Sequence, residues 1–313
     1  MRKTLLFISF FIILATNTAF AKRAPVDPDA LQLFDIKDNV KAIVGPIDQR
    51  TSKNFGNNAN FGVIITSKGV VLVDSGGSYL GAKAIHDMIK TVTDQPIKYV
   101  INSGGQDHRW FGNNYFKALG AKVISSNAAK EDHEARLNMQ WTRLEMLIGK
   151  ESIKGTNPEF ADITFEKDYE LKLGDTVIEI HHHGQAHTPG DAFVWLPKEK
   201  VMFSGDIVYV DRMLGIGPQS NSKSWMSVFE AMASYDIEVL VPGHGKPTTL
   251  ANATKATYDY LKFIREAAAK VIDDDGDMTE VVKVDQSQFN DLYNFKALSG
   301  RNIQKAFSEM EFE

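Results

Sequence analysis

Short apolar segments recur along the chain between clusters of Gly, Asn and Pro, and their spacing separates strands from helices. LQLFDI (31–36), VKAIVG (40–45), FGVIIT (61–66) and GVVLVD (69–74) are rich in Val and Ile and bounded by turn residues, which predicts strands. TSKNFGNNAN, between the second and third, predicts a hairpin tip or flap. The spacing then turns helical over 79–92, with Leu80, Ile85, Met88 and Ile89 on one side. Strand IKYVIN (97–102), a helix near 110–119, strand AKVISS (121–126) and a long amphipathic helix over 127–149 follow. The second half repeats this order with unrelated sequence. Strands fall within 162–183, at AFVWLP (192–197), VMFSGD (201–206) and EVLVP (238–242), with helices near 223–235 and 249–271. Strand groups alternating with helices predict an α/β sheet sandwich covered by helices over 31–272. Two or three short helices are expected on its outside over 273–313.

Residues 1–21 do not fit this pattern. Arg2 and Lys3 precede an apolar run from Leu5 to Ala15, too short to span a bilayer, and Ala19-Phe20-Ala21 is an A-x-A site. A secretory signal cleaved after Ala21, a polar lead-in over 22–30 and a periplasmic or secreted product without a stable membrane anchor are expected. Losing Arg2 and Lys3 moves the net charge from −5 to −7, and no basic cluster remains, so nucleic acid is not an expected partner. The cysteine count is zero, which excludes disulfides, thiol nucleophiles and thiolate-bound metal.

Four segments put His or Asp after small residues at strand ends: Ser103-Gly104-Gly105-Gln106-Asp107-His108, Ala186-His187-Thr188-Pro189-Gly190-Asp191, Ser204-Gly205-Asp206 and Pro242-Gly243-His244-Gly245. Each alone is ordinary turn chemistry. Together they place imidazoles and carboxylates on anchored loops, a donor set suited to zinc and, less well, to iron or manganese.

Asp74 in VLVDSG, Asp107-His108, His187 in HTPGD, Asp206 in FSGD and His244 in PGHG, in this order, resemble the metallo-β-lactamase superfamily over about residues 31–250. The tail GRNIQKAFSEMEFE is similar to tails of secreted metallohydrolases of that superfamily. The resemblance implies a four-layer αβ/βα sandwich with a metal site at one edge. It also exposes a departure. With the family's H-x-H-x-D-H aligned on Asp107-His108, the first two histidines fall on Ser103 and Gly105, so the first metal pocket keeps only His187 and a share of Asp206. The second pocket is expected intact, with Asp107, His108 and His244 as ligands and Asp206 in the bridging position. Asp rather than Cys there matches glyoxalase-II-like and other non-lactamase branches.

The resemblance thus implies one zinc per chain and a hydrolase that attacks an ester, thioester, amide, lactam or phosphoester of a small molecule with zinc-acidified water. Asp107 or Asp206 would move the proton, His187 would serve the oxyanion or leaving group, and Asp74 would orient ligand loops. The alternative is a silent member that binds zinc or a ligand without turnover. On a strand His181 and His183 share one face and His182 takes the other, so any of them repairing the first pocket competes with a solvated strand face. Gly105 leaves room that Arg109 or Trp110 could fill. The loop 211–222 and the Asn-rich stretch 54–60 are expected to border the substrate cleft.

Overall fold

A computed structural model describes residues 30–313; the expected secretory signal, and the lead-in up to residue 29, lie outside the described residues. Twelve strands form two sheets among these residues. The first runs β1 (Gln32–Lys37), β2 (Val40–Val44), β3 (Asn60–Thr66), β4 (Gly69–Val73), β5 (Ile97–Ile101), β6 (Lys122–Ser126) and β7 (Ile163–Phe165), side by side in chain order. It is antiparallel up to β4 and parallel beyond. The second comprises β8 (Asp168–Leu173), β9 (Thr176–His181), β10 (Phe193–Leu196), β11 (Val201–Phe203) and β12 (Val239–Val241), with only the β11–β12 pair parallel. Helices α1 (Tyr79–Ile89), α2 (Asp107–Trp110), α3 (Asn113–Ala118) and α4 (Asn127–Ser152) accompany the first sheet. Helices α5 (Ser222–Ala233), α6 (Leu250–Ala253), α7 (Asp259–Asp273), α8 (Met278–Val281) and α9 (Phe295–Met310) accompany the second.

The period of two along each strand builds the layers. Val40, Ala42, Val44, Ile64, Val71 and Val73 face Ile178, Ile180, Val194, Leu196 and Val201 across the gap between the sheets. The alternate residues face outward: Ile43, Val63, Val70 and Leu72 pack on Ala82, Ile85 and Ile89 of α1. Phe193, Trp195 and Met202 join a core with Trp225 and Phe229 of α5, and with residues of α7 and α9. The result is helix, sheet, sheet, helix, the αβ/βα sandwich expected.

Two local expectations need correction. The Asn-rich stretch is no exposed flap: Asn57 donates to the Gly81 carbonyl and accepts from Gly77 N, and Asn54, Asn57 and Asn58 are buried. The C-terminal helix is not short, and its packing is not merely peripheral. Ile303, Ala306 and Phe307 of α9 are buried in one core with Tyr260, Leu261 and Ile264 of α7.

Candidate metal centre

The parallel strands deliver their C-terminal ends to one edge of the sandwich, where open α/β sheets place ligands. Asp74 follows β4, the 102–108 loop follows β5, Asp206 follows β11 and His244 follows β12. Asp74 itself adopts a left-handed φ of 67°, which turns its carboxylate back onto Ser103. The β11 and β12 turns touch so closely that a Cβ on Gly243 would overlap the Gly205 carbonyl. This approach sets Asp206 beside His244.

His108, Asp206 and His244 are brought together. Nε2 of His108 lies 3.2 Å from Asp206 Oδ2 and Nε2 of His244 lies 3.1 Å from Asp206 Oδ1. Their ligand atoms all fall within 4.8 Å of one another, and all three residues are buried. Tyr209 stacks on the His244 ring at 4.7 Å and is itself fixed by paired hydrogen bonds between its backbone and the Thr257 hydroxyl.

Arg109 lies beneath this cluster with no solvent exposure. Its guanidinium donates to both oxygens of Asp206 (2.6 and 3.2 Å), to Asp74 Oδ2 (2.8 Å) and to the carbonyls of Asn60 (3.0 Å) and Gly243 (3.2 Å). Burial alone would push Asp206 up, but the charge of Arg109, together with the hydrogen bonds of His108 and His244, outweighs it and holds this carboxylate far below the usual range. Asp74 takes a smaller share of the same cation, and burial wins there, raising it to about 6. Burial lowers His244 to about 3 and His187 to about 4, and pushes His108 far down as well, against the pull of Asp206 in each case. The imidazoles are therefore neutral at neutral pH, the state in which they ligate metal.

Other expected site residues sit elsewhere. Asp107 pairs with Arg50 at 2.6 Å, on the Nδ1 edge of His108, opposite the Nε2 that faces Asp206. It therefore cannot share an ion with that nitrogen. Ser103 donates through its amide and hydroxyl to Asp74. A Cβ on Gly105 would overlap the Asp132 carboxylate, away from the cluster, so the position is closed to an imidazole, and Arg109 does not fill it. The inward residue is Gln106, whose Oε1 accepts from His187 Nε2. Counted on inward-pointing side chains, the H-x-H-x-D-H positions read one residue later: Gly104, Gln106, His108 and Arg109. His187 is left with an amide partner, packed by Tyr209 and Trp225.

The His181–His183 run does not repair this pocket. His181 bonds Asp168 (2.7 Å) at the surface, the His183 ring stacks on Phe193, and His182 bonds the Asp191 carbonyl. Asp168, His181 and His183 form a separate, partly exposed group of possible ligands. Sequence reasoning missed Arg50, which stands in no motif position, and Gln106, which the alignment on Asp107-His108 left between the motif histidines although it holds one of their places.

The donor set fits one metal ion. Two neutral imidazoles and an ionised carboxylate converge, as in three-ligand zinc sites, and His244 Nδ1 donates to the Asn58 carbonyl (2.8 Å), which turns its Nε2 lone pair inward. Arg50 Nη2 donates to His108 Nδ1 at 2.9 Å, which puts the proton of the neutral ring on Nε2, toward Asp206. For His108 to offer Nε2 to an ion, that proton must move to Nδ1 and Arg50 must release it. The neighbouring pocket, with His187, Gln106 and Gly104, offers one imidazole and no second ligand of that strength.

A sequence profile of the metallo-beta-lactamase superfamily matches residues 55–244. The chain is similar to a metallo-beta-lactamase type 2 of Elizabethkingia meningoseptica, 27% identical over 190 residues that span 59% of this chain and 68% of that one. A metallo-beta-lactamase type 2 of Bacillus sp. (strain 170) is 27% identical over 188 residues, spanning 59% of this chain and 65% of that one. Among solved structures, a metallo-beta-lactamase from Pontibacter korlensis superposes with a TM-score of 0.58 at 20% identity, covering 72% of this chain and 96% of that one. A double mutant of the sec-alkyl sulfatase PisA1 superposes with a TM-score of 0.71 at 16% identity, covering 90% of this chain but 50% of that one.

Proposed function

Since the chain belongs to the metallo-β-lactamase superfamily, whose members are in general metal-dependent hydrolases, we propose that it hydrolyses a small molecule with a single divalent ion, zinc by its ligand chemistry, held by His108, Asp206 and His244. The observation that carries this reading is the convergence of those three donors, two of which, His108 and His244, line with His187 and Gln106 a cavity of about 330 Å³. Bound there, a divalent ion would supply Lewis acidity and acidify water.

The chain's own residues have separable tasks. Arg109 keeps Asp206 ionised, so this carboxylate is a fixed negative charge and a poor proton acceptor. His187, neutral because it is buried, is a hydrogen-bonding group at the cavity wall rather than a cationic acid. Asp107, turned onto Arg50, positions that guanidinium beside the cavity. The loop 211–222 contributes Arg212 and Gly215–Gln219 to the wall. A periplasmic or secreted location is part of the proposal, supported by the apolar run and A-x-A site of residues 1–21. No helix among the described residues is long and apolar enough to cross a membrane.

Metal analysis after dialysis, with turnover on a chromogenic ester, phosphoester, sulfate ester and cephalosporin, tests the reading. About one zinc per chain and turnover abolished by chelator are expected. His244→Ala and His108→Ala should weaken uptake by more than about 100-fold, beyond the loss typical of outer partners. Asp107→Asn should keep the ion. A chain that takes up no metal, or one that Asp107→Asn strips, overturns the assignment. The Gln106–His187 pairing, which stands where a second ligand pair would be, favours one further reading, binding without turnover; stoichiometric zinc with silence across the panel would establish it.

A further inference from the structure

The cavity over the candidate metal centre concentrates one kind of charge. Arg50, Arg143, Arg212 and Arg301 line it, and no Asp, Glu or Lys does. These are four of only nine arginines in a chain whose net charge is −5. They come from four separate places: the segment before β3, helix α4, the loop after β11 and helix α9. Random surface composition would have scattered carboxylates among them.

Their charges are only partly answered. Arg50, 4% exposed, is the one with a carboxylate partner, Asp107, and its Nε has no hydrogen-bond partner. Arg212 reaches only the Asp48 carbonyl, at 3.3 Å, and its buried Nε is also unpartnered. Among the described residues, Arg143 and Arg301 form no ion pair. Burial and the repulsion of Arg50 lower Arg212; the same two causes lower Arg143, although its side chain, like that of Arg301, is exposed at the cavity mouth. Buried donors without acceptors are costly unless a ligand supplies them.

Helix α9 is held at this wall by specific bonds rather than by apolar packing alone. Asn302 donates to the Leu214 carbonyl (2.8 Å) and accepts from Ile216 N (2.9 Å), locking the helix to the cavity loop. Met213 N donates to the Tyr293 carbonyl just before the helix. Asn294, Ala297, Leu298 and Arg301 thereby face the cavity. These residues lie beyond the 55–244 stretch that the superfamily profile matches.

We propose that the cavity selects a small molecule bearing an oxyanion group (phosphate, sulfate or carboxylate), gripped by the guanidiniums of Arg50, Arg143, Arg212 and Arg301, and that the C-terminal helix is the specificity wall which supplies Arg301. Planar guanidinium forks match such groups in pairs, and lysines would not do so. The inference deepens the hydrolase reading by naming its substrate class, and the binding itself stands without the metal.

The test uses full-length protein stripped with chelator, with inorganic phosphate, inorganic sulfate, succinate and, as the neutral control, glycerol, read by calorimetry and thermal shift. At least one anion should bind and raise the melting temperature, more weakly as salt is added, while glycerol should not bind. Arg301→Gln and Arg212→Gln should each weaken binding about tenfold, the loss of one charge-assisted bond. Arg301→Lys should recover only part of it. Arg301 is exposed on its helix, so its variants should melt like the parent without ligand. Failure of all three anions at tens of millimolar, or binding unchanged in both Gln variants, overturns the proposal. Anion binding that appears only with metal present also overturns it while sparing the hydrolase reading. Arginine-dependent binding in a protein that never turns over would do the reverse.

Discussion

Arg109 decides the character of the site at the scale of single residues. It makes five hydrogen bonds from complete burial, two to the metal-candidate carboxylate and one to Asp74. Removing one partner of a buried ion pair strands the other charge, which costs about 3–5 kcal/mol. Arg109→Met should therefore destabilise the fold by that amount, and Arg109→Lys should not rescue it, since an ammonium cannot span Asp206, Asp74 and two carbonyls together. Urea unfolding checks both; a lysine variant as stable as the parent would refute the bridging role. Ser103→Ala removes only one hydroxyl bond to Asp74 and should cost about 1 kcal/mol while leaving metal uptake unchanged. Neither role could be read from residue type. An Arg after Asp-His is as compatible with filling a vacant pocket as with anchoring the pocket beside it, and only the long-range contacts to Asp74 and Gly243 separate the two.

At the scale of elements, the strands were the legible part and the 102–108 loop was not. The segments around Val40 to Val44, Phe61 to Ile64 and Val70 to Val73 are Val- and Ile-rich runs bounded by turn residues, so their strand character was legible before any coordinates. Runs this apolar do not say which face meets which layer. In the loop the direction of each side chain is set by Gly104 and Gly105, whose turns impose no period, and a motif aligned on Asp107-His108 lands one residue early. That difference is testable by restoration. Gly105→His drives a side chain into Asp132 and Arg136 and should destabilise without adding metal. Gln106→His, already against His187, should raise zinc stoichiometry above that of the parent. A gain in Gly105→His with none in Gln106→His would return the motif to its earlier alignment. Helix α9 was legible only as a helix. Its cavity wall depends on Asn302 finding Leu214 and Ile216, contacts between positions more than eighty residues apart that no local pattern encodes.

For the whole molecule, two buried titratable groups brace the same loop and pull stability in opposite directions with pH. His133 on α4 faces the Gly104 carbonyl at 3.0 Å and stacks on Trp110, and burial lowers it to about 3 from 6.5. Below pH 6.5 the unfolded chain accepts a proton that the folded chain refuses, so this contribution is complete above 6.5 and is lost as pH falls towards 3. The slope is at most about 1.4 kcal/mol per pH unit. Asp191 accepts from Thr188 on the second sheet's side, and burial raises it to about 8 from 3.8. Its folded form keeps a proton that the unfolded form gives up, so its contribution is complete below 3.8 and is lost as pH rises towards 8. Between pH 4 and 6.5 the two slopes oppose each other, and above 6.5 only that of Asp191 remains. In chelator, with metal excluded, His133→Gln should gain stability relative to the parent as pH falls through this window, and Asp191→Asn should gain as pH rises from 4 to 8. Denaturant titrations at half-unit steps supply both difference curves, which cancel the titration of every other buried imidazole. A flat curve for either variant would mean that its group is not protonated differently in the two states, and would remove it from the pH response of the loop.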